Sequence, residues 1–357
     1  MTGPVTRRGW LAALGAVAAS HALGCAPEAR PAPRALAPGP VAPPPAPAVV
    51  PGDEASLSGV SEPPALAAAA PPPEPPPALE LALPPRKAGA ETGSKFIERI
   101  EGLGRAAIDE EVIRAITAGN VPTHARKLVP ISLSDGHGER GKLWVACDYL
   151  AVGSDEDFIR MPMTSAAAQR LANVLDASLP TPRLVDLIYE QAPAKLPPSY
   201  IDGGPTEGTL DDFLVHHEKL EARRKKAGYE LGVLTAGHKK DIVLSARLAE
   251  RDDRVAIYGW HKRDGEVIQP LSCKHSCRYA DYSHGVRLVA QKLVVDGKPQ
   301  RLSEVLADEA LADLLSDEGP LPVVSYPTVL PEYVASDKKK SKKKDATKKD
   351  TKKPRRS

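Results

Sequence analysis

The feature that most constrains this chain is a stretch that cannot build a core. From Ala26 to about Lys87 the residues are mostly Pro and Ala, in runs such as VAPPPAPAVVP and PPPEPPPALELALPP. Such a segment buries too little apolar surface to offset its ordering entropy, and it favours an extended polyproline-II form. It reads as a disordered, semi-rigid stalk over residues 26–91. The last residues, SDKKKSKKKDATKKDTKKPRRS (336–357), read as a second disordered segment. What remains for folding is residues 92–335, roughly 240 residues and enough for one sizeable domain.

The charge is divided in the same way. The Lys-rich tail holds 12 of the 48 Lys and Arg and 3 of the 46 Asp and Glu, leaving 36 basic and 43 acidic residues elsewhere, a net of −7. A mildly acidic body therefore carries a basic appendage. A like-charge run is first of all a solvated tail. Its functional reading is unspecific, salt-sensitive adhesion to an anionic polymer, whether a phospholipid surface, a wall polymer or nucleic acid. No aromatic residues interleave the lysines, which argues against specific nucleic-acid recognition.

The first 25 residues read as an export signal. Arg7 and Arg8 precede Trp10 and Leu11 and a mildly apolar run to Gly24, too short for a membrane span. The Thr-Arg-Arg-x-aromatic-Leu order resembles a twin-arginine signal, which exports folded proteins, and an ordinary secretory signal is the alternative. Leu23–Gly24–Cys25 resembles a bacterial lipobox, whose cysteine becomes the lipidated first residue, although Ala22 stands where Leu or Val is usual. Cleavage after Ser20–His21–Ala22 would instead release a soluble chain. The expectation is a lipid-anchored cell-envelope protein held by Cys25.

The body mixes periods. LVPISL (128–133) and KLWVACDYLAVG (142–153) read as strands flanking a hairpin turn. Residues 165–176 read as a helix with Leu171, Val174 and Leu175 along one side. Thr181–Pro182 opens another helix, with Pro at the first helical position. Thr209 and Asp212 form a capping box for a third, to about Ala227, in which His217 reads as a packed histidine. After Gly228, the runs ELGVLTAG, DIVLSARL, RVAIYGWH and GVRLVAQKLVV are β-branched strands. A closing helix is expected over RLSEVLADEALADLLSDEG. The fold class is α+β: helices in the first half, packed on a mixed or antiparallel sheet in the second.

Chemistry-bearing residues gather at the ends of the late strands. His238, Lys240, His261 and the segment HSCRYADYSHGVRL (275–288) are candidates to converge on one rim of the sheet. If the last segment is extended, Asp281, Ser283 and Arg287 share one face and Tyr282, His284, Val286 and Leu288 the other. Ser283 then needs a base from another strand, and His261 is the candidate. His284 stands between a site residue and a core histidine. Lys240 or Arg287 would hold an anionic substrate group. Cys273, His275 and Cys277 alternate and could present zinc ligands on one strand face, against which stands a Cys273–Cys277 disulfide or free thiols. Cys147 reads as a small core residue.

Two resemblances follow. The phrases SDEDFIRMPMT, LPTPRLVD, AGHKKDIV, VAIYGWHKRDGEVIQPL and YADYSHGVRL resemble a family of uncharacterised secreted proteins, over residues 119–319, and imply no particular activity. Ser283–His284–Gly285–Val286–Arg287 is similar to the Ser-His-Gly-Cys-x-Arg signature of L,D-transpeptidases, which cross-link peptidoglycan through a cysteine thioester. IYGWH stands roughly where that family has Ile-His-Gly. Here Val286 occupies the nucleophile position and the arginine falls one place early, so the thioester mechanism does not carry over. Expectation thus divides between an envelope-anchored hydrolase using His238, His261, His284, Asp281 and Ser283, and a non-catalytic protein that binds peptidoglycan or another anionic envelope polymer. A structural surface protein whose histidines only pack is the third class. No Gly-rich phosphate loop or His-Glu-x-x-His motif is present.

Overall fold

A computed structural model describes residues 79–135, 138–201 and 208–329. The export signal with Arg7, Arg8 and Cys25, most of the Pro/Ala stretch and the Lys-rich tail lie outside the described residues.

Two helices open the body, α1 (Gly93–Ile100) and α2 (Arg105–Thr117). A hairpin of β1 (Leu128–Ser134) and β2 (Glu139–Ala146) follows, then the short pair β3 (Ala151–Gly153) and β4 (Phe158–Arg160). Next come α3 (Ser165–Val174), β5 (Ala177–Ser178), α4 (Pro182–Gln191), β6 (Ala194–Lys195) and α5 (Leu210–Lys226). The later half holds β7 (Thr235–Ala236), β8 (Lys240–Ile242), β9 (Ile257–His261) and β10 (Val267–Ser272). It closes with β11 (His284–Gly285), β12 (Val289–Val295), β13 (Lys298–Arg301) and α6 (Leu302–Ala307).

The class is α+β, built on two principal sheets. One is antiparallel, in the order β1-β2-β12-β13 with β5 also on β12. The other is mixed, in the order β10-β9-β8-β11, with β8 and β11 parallel. Helix entries follow local chemistry. Thr181 accepts from the Leu184 amide ahead of Pro182, and Thr209 and Asp212 form the expected reciprocal capping box. Four basic residues in the last turn of α5 complement the negative end of the helix dipole. A continuous core of Ile116, Leu143, Leu171, Leu184, Ile257, Leu288 and Leu306 joins helices and sheets.

Several expectations are corrected. The expected first-half hairpin, β1 and β2, joins the antiparallel sheet by pairing with β12. GVRLVAQKLVV is not one strand: Val286–Leu288 cross from the mixed sheet to the antiparallel one, separating β11 from β12. The closing helix ends at Ala307 and gives way to a 3-10 turn at Ala312–Leu314. Val174 is 65% exposed, off the apolar side of α3 where Leu171 and Leu175 are buried. Finally, the packed body begins upstream of Thr92. Leu81 is buried, the Glu80 backbone pairs antiparallel with that of Lys127, and the Arg86 guanidinium donates to Asn120 Oδ1 and to the carbonyls of Ala90, Glu91 and Gly153.

Candidate functional site

The strand-end residues do become neighbours. His284 registers against Lys240 and Gly285 against Asp241, and on the other side Lys240 registers against Gly259 and Asp241 against Tyr258. Gly285 permits this approach: a Cβ there would lie 2.4 Å from Tyr149 Cδ1 and 2.9 Å from Lys239 Cβ.

Residues 281–284 form a turn, so the expected alternation of faces does not hold. The His284 amide donates to the Asp281 carbonyl at 3.1 Å, and the Ser283 amide and Oγ both donate to Asp281 Oδ1, at 2.7 and 2.6 Å. Tyr279 donates its hydroxyl to Oδ2 at 3.0 Å. Burial raises the Asp281 pKa, but the nearby His284, the Ser283 donors and Lys240 outweigh it and hold the carboxyl at about 2. Ser283 is 2% exposed, its hydroxyl committed to Asp281 rather than to His261.

The three candidate histidines do not converge on one another; each turns to a different aspartate. His284 Nε2 lies 4.0 Å from Asp281 Oδ2, both ring nitrogens lack a hydrogen-bond partner, and burial pulls its pKa down to about 4. His238 Nε2 is 3.2 Å from Asp148 Oδ1 inside the protein. Asp148 Oδ2 accepts from Arg160 Nη2 at 2.6 Å, and Arg160 Nη1 reaches Glu221 at 2.8 Å. Burial lowers the His238 pKa against the pull of Asp148. His261 Nε2 is 2.9 Å from Asp186 Oδ1 on α4, its ring stacked on Tyr189 at 4.3 Å. Asp186 also accepts the Tyr258 hydroxyl. Adjacency in a sheet fixed the backbones only, and the side chains diverged to carboxylates on other elements.

Arg287 is placed as a structural clamp. It donates to the carbonyls of Ala146 and Thr235, at 2.7 and 2.6 Å, and lies over the Tyr149 ring with Asp241 Oδ1 at 3.8 Å. Every direction that could meet a substrate anion is filled by the protein. Lys240 differs. Its ammonium sits 4.7 Å over the Trp260 ring and, among the described residues, has no hydrogen bond or ion pair. Burial lowers its pKa, with Asp281 opposing.

Residues 273–277 follow the end of β10 and are not a strand, so the alternating face proposed for zinc is absent; Cys273 and Cys277 are free buried thiols. His275 stacks on Tyr279 at 4.2 Å. Among the described residues no group of three or more His, Cys, Asp or Glu is arranged to hold a metal ion. Cys147 is in the core, its thiol raised to about 12 by burial, and His217 packs edge-on to Phe158.

Sequence reasoning missed Lys239, Asp148, Asp186 and Trp260. Lys239 is buried with its ammonium donating to the Tyr282 carbonyl at 2.6 Å, and burial, aided by Arg160, brings its pKa down to about 7. Asp186 could have been found as a carboxylate in the first half of α4, beside its apolar stripe. Trp260 has a φ of +62°, a left-handed backbone rare outside glycine, and no sequence signal marks it beyond the preceding Gly259 at +108°. No protein-family profile, curated protein or solved structure matches the chain.

Proposed function

We propose that this chain is an exported, lipid-anchored cell-envelope protein that binds an anionic envelope polymer without breaking it. Lys240 is the residue that meets the polymer's negative charge. One observation carries the reading. Among the seven candidate residues, Lys240 alone combines partial exposure with a charge left unpaired among the described residues, while Ser283 and Arg287 are buried and spent on internal partners. The export signal, the lipobox-like Cys25 and the basic tail support the location. Co-sedimentation of the full chain with peptidoglycan sacculi, followed by muropeptide analysis, tests it. Retention that weakens with salt and in Lys240→Ala, with unchanged muropeptides, is expected. New cleavage products from the wild-type chain would overturn it, and their loss with a chelator would revive the zinc expectation.

A second reading, hydrolysis, is favoured by the His261–Asp186 pair. It lines a surface cleft of about 450 Å³ with Lys195, Arg263 and Asp264. With Nε2 donating to Asp186, the other ring nitrogen is left as the acceptor that a general base needs. Products that vanish in His261→Gln, with sacculus retention intact, would establish it.

A further inference from the structure

We infer that the ligand unit read at Lys240 is an acidic saccharide, with its ring on Tyr200 and its carboxylate on the Lys240 ammonium. This rests on the anionic-polymer reading above and narrows it. Tyr200 is 54% exposed, and it is the only exposed aromatic side chain among the described residues. Its ring meets Trp260 at 4.6 Å and 60°, and Lys219 Nζ ties down its carbonyl at 3.0 Å. The same indole carries the Lys240 ammonium. Trp260 is thus a shared base, itself buried, that both a hydroxyphenyl ring and a cation contact.

The base is held deliberately. Its left-handed backbone is costly for a bulky residue, and its indole N–H is bound to the His238 carbonyl at 3.2 Å. Strain of this kind persists where surrounding contacts over-determine it, and here they fix the indole that both groups contact. An exposed tyrosine face offers flat, amphipathic area of the kind the C–H face of a pyranose covers, and the ammonium supplies a charge-assisted partner for a carboxylate. Among the described residues no ion pair joins Asp281 to that ammonium, although the carboxylate's charge acts on it from farther off. An ammonium alone would accept any anion. The adjoining ring selects one attached to a sugar.

The test uses the full chain, so that the basic tail is common to all variants. Binding is measured to amidase-stripped glycan strands, whose muramic acid residues carry free carboxylates, and to polygalacturonate, polyglutamate and neutral chitin oligomers. Both acidic saccharides are expected to bind about tenfold tighter than polyglutamate. Tyr200→Ala should lose about that factor on the saccharides and little on polyglutamate, with Tyr200→Trp restoring it. Lys240→Ala should weaken every anion and leave the neutral oligomer unchanged. Equal affinity for polyglutamate and a silent Tyr200→Ala, with Lys240→Ala still damaging, would overturn the saccharide inference alone. A silent Lys240→Ala, or no binding to any polyanion, would overturn the underlying reading too.

Discussion

Lys239 sits in the protein interior with one hydrogen bond and a pKa drawn down to about 7 by burial, from 10.5. The unfolded chain therefore binds more protons than the folded one between those values, and stability rises with pH across that window. Lys239→Met should be more stable than wild type by about 2 kcal/mol at pH 6, an advantage that shrinks toward pH 10.5 and is read from urea midpoints. His284 acts at lower pH. Its buried neutral ring, at about 4 against an ordinary 6.5, contributes stability present above 6.5 and lost as pH falls through 4. That contribution is about 3 kcal/mol, and His284→Gln should flatten part of the acid slope, the buried His217 and His238 keeping the rest. An unchanged slope would remove His284 from the account. Arg287→Met removes the guanidinium donors from two buried carbonyls and from beside Asp241, and a loss of about 3 kcal/mol in chemical denaturation is expected.

At the scale of elements, Gly285 decides the join between β8 and β11. Gly285→Ala puts a methyl within 2.4 Å of the buried Tyr149 ring, and the strands must part or the ring must move. A loss of more than about 2 kcal/mol follows, measurable by thermal melting. The capping residues Thr181 and Thr209 were legible in sequence because a cap is a local event: one side chain, one amide three residues on. The strand GVRLVAQKLVV was not, since its β-branched run has no break at Val286–Leu288. What divides it is the packing of Val286 and Leu288 between two sheets, which no local pattern records. Of the late strands, β8, β9 and β11 are neighbours, which puts His261 and His284 on one sheet and His238 in the bend that leads into it, whereas β7 pairs with β6 and β12 joins the antiparallel sheet. Their partners, Asp148 before β3 and Asp186 on α4, arrive from distant sequence, so the meeting of the three histidines could not be judged from spacing.

For the whole molecule, the lower limit of the folded body matters most. Placing it at Thr92 followed from composition, because ALELALPPRK continues the Pro-rich run. Composition cannot show that Leu81 fills a core site or that Arg86 finds four acceptors. A chain begun at residue 92 should therefore be less stable than one begun at residue 79, by about 2 kcal/mol or more in the same denaturation assay. Anchoring through Cys25 predicts partition of the mature protein into detergent phase, with Cys25→Ala moving it to the aqueous phase. The strap at residues 79–86 then acquires a mechanical meaning. The Leu128 amide donates to the Leu79 carbonyl and the Leu81 amide to Arg126, each at 2.8 Å, beside the margin of β1. Under the proposed anchoring, a pull from the N-terminal side loads these bonds and the Arg86 clasp first. Through Leu128 that load passes into β1, so the strap joins the stalk to the edge of the antiparallel sheet.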